Sequence, residues 1–86
     1  MKKNFHERAF TEYLFWQNYN RKYFSKINSL IKSIEREGAM KGEGKPEKLK
    51  GRKGQYSRRI DDSNRLVYEV TSDTITIISC KGHYEE

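Results

Sequence analysis

The sequence predicts an α+β fold, a helical hairpin packed on one face of a mainly antiparallel sheet of four to five strands. Three observations carry this. Residues 21–37 hold the cleanest helical periodicity, residues 55–70 read as a β-hairpin around Asp-Asp-Ser-Asn, and residues 74–81 are rich in isoleucine and threonine. At 86 residues the chain is a single domain, residues 1–86, with one modest core. Charged residues reach 35%, but a net charge of only +6 and 13% aromatics favour a folded chain over a disordered one.

The elements follow in order. Lys2 to His6 forms a short first strand, with Phe5 as its one clear apolar side chain. From Glu7 to about Asn18, Ala9, Tyr13 and Trp16 recur at helical spacing with Phe10 and Leu14 beside them, while Phe15 falls outside the stripe. From Arg21 to about Glu37, Tyr23, Phe24, Ile27, Leu30, Ile31 and Ile34 fall within about 120° of a helical wheel. The opposite arc carries Arg21, Lys22, Lys26, Lys32 and Arg36, either a solvated face or a stripe that tracks phosphates. Only Tyr19 and Asn20 separate the two periodic runs, which makes them an antiparallel helical hairpin.

Gly38 ends the second helix, and Gly42, Gly44 and Pro46 make the next segment a loop. Between Lys41 and Arg59 there are eight basic residues and two acidic ones, an excess equal to the net charge of the whole chain. An anionic partner is expected there. In the hairpin, Leu66, Tyr68 and Val70 share one face and Arg65, Val67 and Glu69 the other, and Arg58 alternates away from Arg59. Ser72-Asp73 turns the chain into a central strand, Thr74 to about Lys81. Its isoleucines have two phases, Ile75 and Ile77 against Ile78 and Cys80, which implies cover on both faces or a bulge.

Cys80 is the only cysteine, and Met-Lys-Lys leads into Asn-Phe-His-Glu instead of an apolar signal core, so the expected compartment is the cytoplasm. No apolar run approaches the roughly 20 residues of a membrane helix. The chain has no Cys/His metal cluster, P-loop or dinucleotide-binding glycine pattern, which leaves acid/base chemistry on a phosphodiester as the most economical enzymatic option. Cleaving RNA in this way requires no cofactor and no metal. The substrate's 2′-hydroxyl is the nucleophile, and the protein supplies a base, an acid and a cation for the phosphorane.

Glu47, His83 and Arg65 are candidates for those roles, each with a plainer alternative. Glu47 sits among Lys45, Lys48 and Lys50 and balances loop charge. His83 is an exposed histidine at a strand end, and Arg65 pairs with Asp61 or Asp62 after the turn. Tyr56 and Tyr84 are either packing residues or surfaces for a stacked base. His6 and Cys80 are assigned to structure.

Tyr13-Leu14-Phe15-Trp16-Gln17, Lys26-Ile27-Asn28, Leu30-Ile31-Lys32, Gly44-Lys45-Pro46-Glu47, Leu49-Lys50, Ser57-Arg58-Arg59-Ile60, Arg65-Leu66-Val67-Tyr68 and His83-Tyr84 together form an ordered signature. In order and spacing this resembles the YoeB/Txe toxins of the RelE superfamily, over nearly the whole chain. The resemblance implies a fold like that of the small microbial ribonucleases, with the active site on the sheet face opposite the helices. It implies an endoribonuclease that cuts messenger RNA in the ribosomal A site and halts translation.

On this resemblance Glu47 is the general base, His83 the general acid, Arg65 the transition-state cation and Tyr84 the residue that orients substrate. Arg59 and Lys50 match positions that look like phosphate or RNA contacts, and Lys45, Lys48 and Tyr56 complete the expected RNA-binding set. The implied partners are messenger RNA, the ribosome with its rRNA, an acidic antitoxin of the YefM/Axe type, and a second copy in a homodimer; independently of the resemblance, exposed aromatics on the first helix such as Phe15 and Tyr19 are candidates for its contact. Two features depart from the family pattern: Glu85-Glu86 follow the His-Tyr pair, and Tyr56 stands where tryptophan is common. The competing reading is a non-catalytic RNA- or ribosome-binding module that uses the same basic loop.

Overall fold

The computed structural model describes residues 1–83, so Tyr84, Glu85 and Glu86 lie outside the described residues. In chain order the elements are β1 (Lys2–Phe5), α1 (Glu7–Tyr19), α2 (Arg21–Glu37), β2 (Glu47–Lys48), β3 (Gln55–Arg59), β4 (Arg65–Val70) and β5 (Thr74–Ser79). The strands form one five-stranded sheet in the order β1-β5-β4-β3-β2, antiparallel except for β1 beside β5. The expected α+β architecture is therefore the observed one. No helix among the described residues is long and apolar enough to cross a membrane.

The helical hairpin turns on one residue. The Asn20 N–H donates to the Trp16 carbonyl at 2.9 Å to close α1, while its side chain accepts from the Tyr23 N–H at 3.2 Å to open α2. A side-chain cap of this kind contributes about 1 kcal/mol. Ile27, Leu30, Ile31 and Ile34 of α2 are buried with Ala9 and Trp16 of α1 against Leu66, Tyr68, Ile75 and Ile77 of the sheet. Phe10 and Leu14 are 49% and 38% exposed, so α1 buries a narrower stripe than its sequence suggests.

The two phases of β5 are those of a bulge. Tyr68 pairs with Ile77 and Val67 with Ser79, which leaves Ile78 without an opposite residue. The extra residue reverses the alternation, so Ile77 before it and Cys80 after it both belong to the core cluster.

Arg58 is wholly buried on the helix side of β3 and fastens the loop between α2 and β2. Nε donates to the Tyr68 hydroxyl at 2.9 Å, and Nη1 to Ser33 Oγ and the Glu43 carbonyl, both at 2.9 Å. Nη2 donates to the carbonyls of Gly38 at 2.8 Å and Lys41 at 2.6 Å. All the guanidinium donors are thus occupied, by carbonyl and hydroxyl oxygens. Gly44 (φ +91°) passes so close that a Cβ there would lie 2.6 Å from Leu30 Cδ2, and its carbonyl accepts from the Arg59 N–H at 2.6 Å. This tethered loop delivers Glu47 to the sheet edge.

Candidate active site

Directly paired residues of neighbouring strands share a face. Glu47 pairs with Ser57, Ser57 with Val67, and Arg59 with Arg65, so Glu47, Ser57, Arg59 and Arg65 share the sheet face away from the helices. Tyr68 and Leu66, on the alternate positions, belong to the helix-packed core.

On that outer face Arg65 Nη2 lies 3.2 Å from Glu47 Oε1, with the arginine side chain 11% exposed and the glutamate 49%. Arg65 Nε donates to Ser57 Oγ at 3.0 Å, and the serine is wholly buried. These contacts orient the guanidinium, and the Glu47 side chain is half-exposed on the outer face. The Asp61 and Asp62 alternatives for Arg65 give way to Glu47. Asp62 instead lies 3.5 Å from Arg59 Nη1.

His83 is exposed and follows directly on Gly82. The Gly82 carbonyl accepts from the Arg65 N–H at 3.0 Å, and the Gly82 N–H donates to Asn64 Oδ1 at 2.8 Å. Upstream, the Cys80 N–H donates to Glu12 Oε1 and the Cys80 carbonyl accepts from Trp16 Nε1, each at 2.8 Å. Helix α1 and the hairpin turn therefore both hold the segment that leads to His83.

The turn itself is cross-linked by side-chain hydrogen bonds. Asp61 Oδ1 accepts from the N–H groups of Ser63 at 2.8 Å and Asn64 at 2.7 Å, and from Asn64 Nδ2 at 3.0 Å. The Tyr23 hydroxyl holds the Asp61 carboxyl below the usual carboxylate range, with further help from these turn donors. The same hydrogen bond pushes the Tyr23 phenol up.

The remaining candidates divide. Lys45, Lys50 and Arg59 are exposed, and Lys45 has a left-handed backbone (φ +52°) two residues before Glu47. Lys48 pairs with Tyr56 and shares its side of the sheet, opposite Glu47. The Tyr56 ring packs against the core and stacks on Tyr68, with centroids 5.8 Å apart and planes at 27°. Strand alternation therefore places Tyr56 and Lys48 on the side away from Arg65. Tyr84 lies outside the described residues.

Ser57 and Asn64 are additions that sequence reading passes over. Ser57 shares the parity of Arg59, which is a usable signal for its face. Asn64 carries only the signal of a turn residue.

A family profile described as the YoeB-like toxin of bacterial type II toxin-antitoxin systems matches residues 5–84. Toxin YoeB of Escherichia coli (strain K12) is 44% identical over 85 residues, covering 98% of this chain and all of that protein. A YoeB dimer from Staphylococcus aureus superposes with a TM-score of 0.94 at 49% identity, covering 98% of each chain. A heterotetrameric YoeB-YefM toxin-antitoxin complex from the same organism gives 0.91 at 49% identity, again covering 98% of each chain.

Proposed function

We propose that this chain, which belongs to the family of YoeB-like toxins of bacterial type II toxin-antitoxin systems, is an endoribonuclease that cuts messenger RNA in the ribosomal A site by metal-independent acid/base catalysis. The observation that carries the reading is the contact between Glu47 and Arg65 on the outer sheet face, with the His83 segment tied to the Arg65 backbone. Glu47 takes the proton from the 2′-hydroxyl, whose oxygen attacks the adjacent phosphorus. The Arg65 guanidinium stabilises the negative charge that gathers on the phosphorane. His83 gives its proton to the departing 5′-oxygen, and Tyr84 orients the substrate. The products are a 2′,3′-cyclic phosphate, open to hydrolysis to a 3′-phosphate, and a 5′-hydroxyl.

Lys45, Lys48, Lys50 and Arg59 meet RNA phosphates, with Lys48 approaching from the opposite side of β2, and the proposed compartment is the cytoplasm. The basic segment also suits the acidic chain of an antitoxin of the YefM/Axe type. A homodimer like that of the Staphylococcus aureus relative uses the exposed side of α1, where the Phe15 and Tyr19 rings lie tilted against each other with centroids 4.9 Å apart.

Primer extension on a message translated by purified ribosomes tests the activity. Glu47→Ala, Arg65→Ala and His83→Ala are each expected to slow cleavage by at least about tenfold. Unimpaired cleavage by all three variants overturns the assignment in favour of a non-catalytic ribosome-binding module.

A further inference from the structure

We infer that Asn64 is a positioning residue for His83: its carboxamide clamps the Gly82 N–H and so holds the following histidine in register with Arg65. The inference rests on the reading of His83 as the proton donor.

Gly82 has both of its backbone polar groups held by adjacent residues of the hairpin. Asn64 Oδ1 accepts from its N–H at 2.8 Å, and the Arg65 N–H donates to its carbonyl at 3.0 Å. The residue that carries the transition-state cation and the segment that carries the acid therefore share one short hydrogen-bonded frame. Gly82 adopts φ +80°, a left-handed conformation that glycine enters without steric cost but does not by itself maintain. External bonds must select it, and next to an exposed histidine they also limit where the imidazole can reach.

The clamp needs a carboxamide. Asn64 uses its oxygen on Gly82 while its Nδ2 donates to Asp61 Oδ1 at 3.0 Å, so the side chain must accept on one edge and donate on the other. An aspartate retains the acceptor but turns a second carboxylate oxygen toward Asp61. An alanine loses both bonds. The Asn64 backbone has its own partners, since its carbonyl accepts from the N–H groups of Ile60 at 2.9 Å and Asp61 at 3.2 Å. The turn itself survives loss of the side chain. Cys80 remains anchored on α1 through Glu12 and Trp16 and the Arg65 N–H keeps the Gly82 carbonyl, so β5 keeps its place and only the hold on the Gly82 N–H is released.

The test uses the full chain, with Asn64→Ala, Asn64→Asp, His83→Ala and the Asn64→Ala/His83→Ala double variant. Two readouts are made: amide hydrogen exchange at Gly82, and single-turnover cleavage of a message on purified ribosomes. Asn64→Ala is expected to speed Gly82 exchange by about tenfold or more while protection across β4 and β5 is retained. It should lower the maximal cleavage rate by at least about fivefold, with the half-saturating ribosome concentration changed by less than about twofold. Asn64→Asp should fall in the same direction, and the double variant should be no slower than His83→Ala alone, because both act through one proton transfer. If His83→Ala is impaired while Asn64→Ala cleaves at the full rate, or if Gly82 stays protected, the positioning role is overturned and the catalytic reading stands. Similarly, additive losses in the double variant overturn the role. If His83→Ala cleaves normally, the reading of His83 falls and the inference falls with it.

Discussion

Arg65 Nη2 and Glu47 Oε1 meet at 3.2 Å across the width of β3, although eighteen positions of sequence numbering separate the two residues. The contact depends on two registers at once, Glu47 opposite Ser57 and Arg65 opposite Arg59. A one-residue slip in either would turn one partner to the helix side.

Ser57 is the residue between them. Ser57→Ala removes the acceptor of Arg65 Nε while adding no bulk, and a hydrogen bond to a charged group contributes roughly 1.5–3 kcal/mol. The expected result is a fall of about tenfold in the cleavage rate on ribosomes, together with a melting temperature lowered by roughly 5 °C or more because the guanidinium loses a buried acceptor. Wild-type cleavage would show that the guanidinium needs no such support.

Arg58 has the opposite character. Arg58→Met leaves the Ser33 and Tyr68 hydroxyls and the carbonyls of Gly38, Lys41 and Glu43 without their buried donor, and a loss of about 3–5 kcal/mol is expected in chemical denaturation. Arg58→Lys retains the charge but lacks the fork, and should recover only part of that loss.

Cys80 gives a pH signature. Burial pushes its thiol up to about 12, with a smaller push from the Glu12 carboxylate. The raised value favours the neutral thiol in the folded chain, so its contribution to stability is complete below about pH 9 and is lost as pH climbs from there toward 12. At pH 8 the native protein should react with iodoacetamide at least about a hundredfold more slowly than the urea-unfolded chain, because the thiolate is the nucleophile. Equal rates would place the sulfur in contact with solvent.

The basic loop should control affinity instead of rate. Lys45→Ala, Lys50→Ala and Arg59→Ala are each expected to reduce the slope of ribosome affinity against log salt by about one. Lys48→Ala should change it less, since that side chain leaves β2 on the side away from Arg65. Titration of binding against potassium chloride measures all four.

The features legible in sequence are those set by local periodicity. The helix limits, the Asn20 hinge and the bulge implied by two isoleucine phases depend on neighbours within a few positions. The placement of Arg58 is also partly legible, because alternation puts it opposite Arg59. Tyr56 shares that parity, so its inward face was available from the same rule. The Arg65–Ser57 bond, the Asn64–Gly82 bond and the burial of Ser33 were not legible. They join segments brought together only by strand register or by the path of the loop over Arg58, and no local pattern encodes either. Phe10 and Leu14 illustrate the same limit, since helical spacing marks an apolar side but not how much of it a partner covers.

The order of strands also bears on when the molecule can exist during its own synthesis. β5 follows the other four strands along the chain, yet it lies between β4 and β1, and among the described residues β1 pairs with no other strand: Lys2 must wait for Thr74. A nascent chain that lacks its final dozen or so residues has a first strand without a partner and a helix α1 without the Cys80 peptide that Trp16 and Glu12 hold. Such long-range closure comes late in folding. The outer face that joins Glu47 to Arg65 therefore acquires its His83 segment only after β5 has been made, and a product terminated before β5 lacks that segment altogether.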